Sequence, residues 1–314
     1  MGHICFGIDI GGTSIKAGLF GDDGELLDKW SFATIKKESS ENILQSLADF
    51  ILDKIETFPL DKNEIVGIGV GIPGPVTEDG EVLEMANLGS GRINLNETLS
   101  KMTGLKVRAG NDANLAALGE QWMGSGKGCK DMMLITLGTG IGGGIVLNNH
   151  ILTGSKGAAG EIGHMTVNSK EQRICGCGKR GCLEQYASAT AVVRIAKDLL
   201  KDRTEASALQ DFEKISARDV FDCAKTGDKL ALEVVDQACV YLGLALSYAG
   251  QLVDPEVFVI GGGVSQAGSI IVDKTKASYN DNVIESLKNK EIRIASLGND
   301  AGMYGAAKLI LSDV

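Results

Sequence analysis

The sequence predicts an α/β protein built as two similar halves with a cleft between them. Two stretches carry that expectation. "FGIDIGGTSIKAGLF" (6–20) and "LITLGTGIGGGIVLN" (134–148) each read as a strand, a glycine-rich hairpin carrying threonine, and a second strand. Each stretch opens a run of three strands followed by alternating helices and strands, the order of an α/β domain. At 314 residues and 44% apolar, the chain has material for two domains with buried cores.

The first half starts with strands at 3–10, 13–20 and 24–33, separated by Gly and Asp turns. A helix follows at 41–56, where Ile43, Leu44, Leu47, Phe50, Ile51 and Ile55 share one stripe. Buried strands are predicted at 64–72 and 105–112. A helix at 113–122 starts directly after the second of these, with Asp112 in the position of an N-cap. In the second half, strands at 131–138, 139–148 and 150–154 precede helices at 187–201, 217–226 and 229–252. A buried strand at 256–263, a helix at 268–288, a strand at 291–298 and a helix at 302–311 complete the order.

Composition excludes several classes. The net charge of −10 repels phosphate backbones, so no nucleic-acid partner is expected. Met1 leads straight into a strand, so no secretory leader is read. The apolar stretch 238–253 falls short of the ~20 residues that span a bilayer, so no membrane partner is expected either. Seven cysteines cannot all pair. Cys5, Cys129, Cys223 and Cys239 are scattered and read as core packing, and a reducing cytoplasm fits best.

"DIGGTS" (9–14) and "LGTGIGGG" (137–144) suit polyanions: glycine lets backbone N–H groups approach, and threonine or serine adds a hydroxyl. "GSGKG" (124–128) is not a phosphate loop, because Gly128 follows Lys127 where Ser or Thr is needed. "IGGGVSQAG" (260–268) lacks the dinucleotide glycine spacing and reads as a close backbone approach to a flat nucleoside.

Three thiols crowd into "ICGCGKRGCLEQ" (174–185), and His164 lies just upstream. His164, Cys175, Cys177 and Cys182 make the closed tetrahedral set of a structural zinc site. Gly176, Gly178 and Gly181 allow the sharp turns of a knuckle. Glu161 and Glu184 flank it, and carboxylates and an imidazole suit the hydroxyls of a sugar.

"DIGGTSIKAGLF", "NDANLAALGE", "LGTGIGGGI", "GEIGH" and "CGCGKRGCLE", in this order across the whole chain, resemble the ROK family of repressors, open reading frames and sugar kinases. The wider strings "AALGEQWMGSGKG", "ARDVFDCAKTGD" and "SLGNDAGMYGAA" are most similar to its bacterial glucokinase branch. The resemblance implies an actin-like ATPase (ribonuclease H-like) fold. A small domain would span 1–114 plus 299–314, and a large one 115–298 with the second phosphate loop, the zinc loop and the adenosine site. It implies transfer of the γ-phosphoryl of ATP, with Mg²⁺, to the 6-hydroxyl of glucose, in a homodimer or homotetramer. Asp112 matches the catalytic base. Gly74, Asn87, Asn111, Glu161, His164 and Glu184 match sugar contacts. Asp9, Gly11, Gly12, Thr13 and Lys16 match the first phosphate loop, with Asp9 holding Mg²⁺ through water. Gly138, Thr139 and Gly140 match the second loop, and Gly261, Gly262 and Gly263 the adenosine side. Arg92 stands near the position where the branch carries tryptophan. The alternatives are kinases for N-acetylmannosamine, N-acetylglucosamine, allose or fructose, and, from another class, a sugar-sensing repressor or a structural actin-like ATPase.

Overall fold

The computed structural model describes residues 3–12, 14–34, 40–58, 62–82 and 92–313. The chain runs β1 (Ile4–Ile10), β2 (Ser14–Gly21), β3 (Leu26–Ala33), α1 (Ser40–Thr57), β4 (Ile65–Ile72), β5 (Glu81–Val82), β6 (Ile93–Asn94), α2 (Leu95–Thr103), β7 (Val107–Asn111) and α3 (Asp112–Met123). It continues β8 (Met132–Leu137), β9 (Ile141–Leu147), β10 (His150–Ile151), α4 (Glu184–Ala187), α5 (Ala189–Asp202), α6 (Ala217–Lys225), α7 (Lys229–Val253), β11 (Val257–Gly261), α8 (Ser269–Asn282), β12 (Glu291–Ile294) and α9 (Ala301–Leu311).

Two five-stranded sheets share one plan, β3-β2-β1-β4-β7 and β10-β9-β8-β11-β12. In the first, β1, β2 and β3 are antiparallel neighbours, while β4 joins β1 and β7 joins β4 in parallel. In the second, β10 is antiparallel to β9, and β11 and β12 extend from β8 in parallel. The duplication expected from the glycine hairpins is therefore a duplication of strand order.

The chain divides into two compact units: Met1–Lys130, Gly144–Gly160 and Ser296–Val314 in unit 1, Asp131–Gly143 and Glu161–Ala295 in unit 2. The expected division after residue 114 cuts α3, which stays whole in unit 1 because it packs along α9.

In unit 1, α9 lies backbone to backbone on its neighbours. A Cβ on Gly69 of β4 would sit 1.7 Å from Ala306 O, and one on Gly305 of α9 would sit 1.6 Å from Leu115 O of α3. Met303, Ala307 and Ile310 of α9 bury with Cys5 and Phe20. The other face of the sheet packs Phe6, Ile8, Ile68 and Val70 against Leu47 and Ile51 of α1. Glu120 of α3 is fully buried, and its carboxylate accepts the backbone N–H groups of Ser125 (2.8 Å), Ser296 (3.1 Å) and Leu297 (2.8 Å). Those three donors stabilise a charge that burial alone would make costly.

Several expectations shift. Helix α2 was not read from the sequence: Asn94 caps it through Oδ1 to Glu97 N at 2.9 Å, and Gly104 closes it in the left-handed region. The helix expected at 187–201 breaks at Ser188, whose hydroxyl caps α5 at Ala191 N. The expected 268–288 helix ends at Asn282, and the strand expected at 291–298 ends at Ile294. The helix expected at 229–252 is α7, and the apolar stretch 238–253 forms its second half. At 25 residues α7 is long and apolar enough to cross a membrane, yet 61% of its most apolar window is buried inside the protein. Its Leu242, Leu246 and Ala249 are core residues.

The close approach of α9 gives a test. A Gly→Ala change inside a helix ordinarily gains up to ~1 kcal/mol. Gly305→Ala is expected to lose about 2 kcal/mol instead, because the new methyl meets a carbonyl that cannot retreat. Urea denaturation decides, and an unchanged or raised midpoint would contradict the packing described.

Candidate active-site residues

In unit 1 the first glycine hairpin joins β1 to β2. Gly11 N–H donates to Ser14 O at 2.9 Å, and the Thr34 hydroxyl donates to Gly11 O at 2.7 Å, so the turn is fixed from two sides. Gly12 lies at the turn, while Thr13 lies outside the described residues. Asp9, near the end of β1, faces the start of α9, where a Cβ on Gly302 would sit 2.9 Å from its Cγ. Burial pushes the Asp9 carboxyl up to about 6; Lys16 opposes this, and Asp112 and Asp300 add to it. The Lys16 ammonium also bonds Asn299 O. The structure thus brings Asp9, Lys16 and Asp112 together electrostatically. A buried carboxylate among like charges is a fitting place for a divalent cation.

At the β7–α3 junction, Asn111 rather than Asp112 is the N-cap. Its Oδ1 accepts Asn114 N–H at 3.1 Å while its Nδ2 donates to Gly74 O at 3.0 Å. This corrects the capping role expected for Asp112. Helical dihedrals begin at Asp112, whose own oxygen takes the next residue's N–H at 2.8 Å. Gly74, at φ 102°, needs the left-handed half of backbone space that glycine favours. Asn87 lies outside the described residues, and Arg92 is exposed.

In unit 2 the second glycine hairpin joins β8 to β9. Gly138 N–H donates to Gly140 O at 2.9 Å, and the hairpin docks on the start of α5: Ala189 N–H donates to Gly138 O, and the Thr190 hydroxyl to Thr139 O at 2.8 Å. Glu184 reaches this hairpin. Its Oε2 accepts Ile141 N–H at 3.0 Å, and a Cβ on Gly140 would sit 2.3 Å from that oxygen.

The cysteine loop forms the cluster read from its spacing. The ligand atoms of His164, Cys175, Cys177 and Cys182 all lie within 4.8 Å of one another, with Cys177 Sγ 3.6 Å from Cys182 Sγ and Cys175 Sγ 3.8 Å from His164 Nδ1. A tetrahedral zinc with Zn–S near 2.3 Å would space its sulfurs about 3.8 Å apart, so the set fits. Gly178 and Gly181 turn the loop at φ 83° and 72°. Burial pushes the Cys182 thiol up to about 12. A bound cation would be what holds it as thiolate. The second Glu184 oxygen is 3.8 Å from Cys175 Sγ, so this acid bridges the cysteine knot and the glycine hairpin. Glu161 is exposed, one turn before His164.

A cavity of about 410 Å³ in unit 2 draws Gly138 and Thr139 together with Gly263. Phe221 of α6, Val264 and Ala267 give it an apolar wall, and Arg218, Lys225 and Gln266 supply polar groups. Gly261 ends β11, and Gly262 packs on Leu137, where a Cβ would sit 2.5 Å from its carbonyl oxygen. Sequence reasoning missed the α6 contribution, although the reciprocal cap of Ser216 and Asp219 marks the start of that helix.

A family model described as the ROK family matches residues 5–313. The chain belongs to the ROK family. ROK sugar kinases have the actin-like ATPase fold, and this chain shares it. The glucokinase of Halalkalibacterium halodurans is 42% identical over 97% of this chain and 94% of its own. The xylose repressor of Caldicellulosiruptor bescii is 30% identical over 98% of this chain and 78% of its own. A ROK glucokinase of Streptomyces griseus, solved with glucose and AMPPNP, matches at TM-score 0.78 and 33% identity, covering 98% of both chains.

Two outcomes are expected. Cys177→Ser removes one of four ligands, so the purified protein should carry less than one tenth of the wild-type zinc by elemental analysis and lose sugar affinity. Unchanged sugar affinity in a metal-free variant would break the link between knot and sugar. For Asp9, the folded pKa lies above the unfolded value of 3.8. The ionised form therefore costs stability above about pH 6, and the cost fades as pH falls through 6 towards 3.8. Asp9→Asn should be more stable than wild type by about 2–3 kcal/mol at pH 8 without divalent cations, with the gap closing below pH 5. A gap that widens in acid would refute the burial argument.

Proposed function

We propose that this ROK protein transfers the γ-phosphoryl group of ATP to the 6-hydroxyl of glucose. The observation that carries this reading is the Asn111–Asp112 pair at the β7–α3 junction. Asn111 is held in one pose by Gly74 and by the helix start, so the carboxylate of the next residue stands on a rigid support. Similarity to glucokinases over nearly the whole chain supports the choice of sugar.

Phosphoryl transfer asks a protein mainly for positioning and charge neutralisation. In unit 2, the apolar wall of Phe221, Val264 and Ala267 would take the adenine face, and the backbone of Gly138 and Thr139 the phosphates. In unit 1, the N–H groups of Gly11 and Gly12 and the Lys16 ammonium offer a second set of phosphate donors, and Asp9 would hold Mg²⁺ through water. Mg²⁺ supplies charge neutralisation at the phosphates when bound.

Asn111 and the backbone of Gly74 would orient the sugar. Glu161 and Glu184 would accept hydrogen bonds from its hydroxyls, and His164 would donate or accept one. His164 turns Nδ1 towards the cysteines, leaving Nε2 for that role. Asp112 accepts the 6-hydroxyl proton. In a loose transition state that proton leaves late, so an ordinary carboxylate suffices, worth about 10²–10⁴-fold. Zinc in the knot would hold the sugar-facing side chains and take no part in the transfer. All seven cysteines are free thiols, which suits a reducing cytoplasm.

A coupled ADP-release assay with ATP and Mg²⁺ across a panel of hexoses tests the reading. Glucose should give the highest kcat/KM. A 2-acetamido hexose in first place would reassign the substrate. Asp112→Asn leaves the Asn111 cap intact, so it should fold normally and lose about 10²–10⁴-fold in kcat with little change in KM. A folded variant with near-normal turnover would remove Asp112 from the mechanism.

A further inference from the structure

Helix α7 of unit 2 leaves one apolar face open to solvent. Gln237, Val240, Leu244, Tyr248 and Gln251 recur every three or four residues and so form one stripe, with Leu252 at its edge. Val240 is 52%, Tyr248 40% and Leu252 83% exposed, while Leu242, Leu246 and Ala249 on the opposite face are core. Large apolar side chains scattered singly over a surface need no explanation. Gathered in one stripe, they mark a contact face.

The stripe matches itself. Counted from Leu244, Val240 and Tyr248 lie one helical turn to either side, and Gln237 and Gln251 two turns. A two-fold axis at Leu244 sets that leucine on its own copy, Val240 on the partner's Tyr248 and Gln237 on the partner's Gln251. Apolar then meets apolar, and amide meets amide. An amide both donates and accepts, so a glutamine pair closes on itself. An isologous dimer requires a patch of this kind, complementary to its own rotated copy.

Charge permits the approach. The chain carries a net −10, yet no charged residue lies between Asp236 and Asp254. The acids at the two ends are already met: Glu233 by Arg203 at 2.9 Å, Asp236 by Lys274, and Asp254 by Lys290 at 2.6 Å. Two copies therefore close here without like-charge repulsion. The stripe has no lysine or arginine of its own, the residues by which surface helices hold an anionic bilayer. Helix α8 widens the face: Lys274 pairs with Asp236, the Ser278 hydroxyl donates to Val240 O at 2.8 Å, and Ala277 between them is exposed. Two helices about 10–12 Å wide, over a stripe of about 23 Å, cover roughly 500 Å² in plan. A ridged surface has more accessible area than its plan, so the face approaches the ~800 Å² that a standard interface takes from each partner. We infer that this face pairs two copies of the chain about a two-fold axis at Leu244, with α7 antiparallel to its copy. At the edge of the stripe Tyr241 stacks on Tyr186, two residues from Glu184, so the contact adjoins the side chain that holds the second hairpin.

Sedimentation velocity of the full chain at about 10 μM tests this. The wild type should run as a dimer, or as a tetramer that contains this contact. Val240→Glu and Tyr248→Lys each place a charge opposite an apolar side chain, so each should halve the mass, with the contact weakened at least about tenfold. The double variant V240E/Y248K should recover the wild-type mass, because each new acid meets a new base across the axis. An equimolar mixture of the two single variants should associate for the same reason. Both side chains are exposed, and circular dichroism checks that the variants fold; if Val240→Glu does not, Tyr248→Lys carries the test. A monomeric wild type overturns the proposal, and so does an oligomer whose mass neither single variant lowers. Single variants that dissociate while the double variant also stays apart would overturn the two-fold pairing. A monomeric wild type that floats with phosphatidylcholine–phosphatidylglycerol vesicles would reassign the face to a membrane surface.

Discussion

The direct seating of α9 on β4 and α3 is the constraint on which unit 1 depends. Side chains normally hold two packed helices about 8–10 Å apart, axis to axis. Here Gly69 and Gly305 strip side chains from the contact, and backbone meets backbone. The same helix begins beside Asp9, with Gly302 leaving room for the carboxylate. Packing density and the electrostatics of Asp9 therefore come from one placement. Glu120 secures the chain where it returns to unit 1, taking the N–H groups of Ser296 and Leu297 just ahead of α9.

Unit 2 is organised around Glu184 in a comparable way. One carboxylate oxygen fixes the hairpin of Gly138, Thr139 and Gly140 through Ile141, and the other touches the cysteine knot. Glu184, the glycine turn and the cluster of His164 with the three cysteines are thus a single mechanical piece. Tyr186, two residues on, donates to Glu171 at 2.6 Å and stacks on Tyr241 of α7, which ties that piece to the long core helix.

What the sequence made legible follows from which forces are local. The two hairpins could be read because turns between antiparallel strands demand glycine at fixed places. The ligand set His164, Cys175, Cys177 and Cys182 could be read because a closed metal site restricts residue type and spacing together. Helix α2 is hard to read because it is short, with only Leu95 and Leu99 buried, so its apolar stripe is too brief to show a helical period even though Asn94 and Gly104 mark its ends. The capping role fell one residue early, on Asn111, because Asn and Asp are nearly equal as caps and only the tie to Gly74 decides between them. The cavity beside Phe221 was invisible, since it is assembled from segments far apart in the chain.

The position of α9 in the chain also has a consequence for how the molecule is made. This helix covers one face of the first sheet, yet it is synthesised after all of unit 2. On the ribosome, the strands β1, β2 and β4 must wait with Cys5 and Phe20 uncovered, because β4 ends at Ile72 and α9 begins only at Ala301. Unit 2 is complete before then. The nascent chain thus carries a finished second half and an open first half, and the exposed sheet face is where a chaperone would be needed.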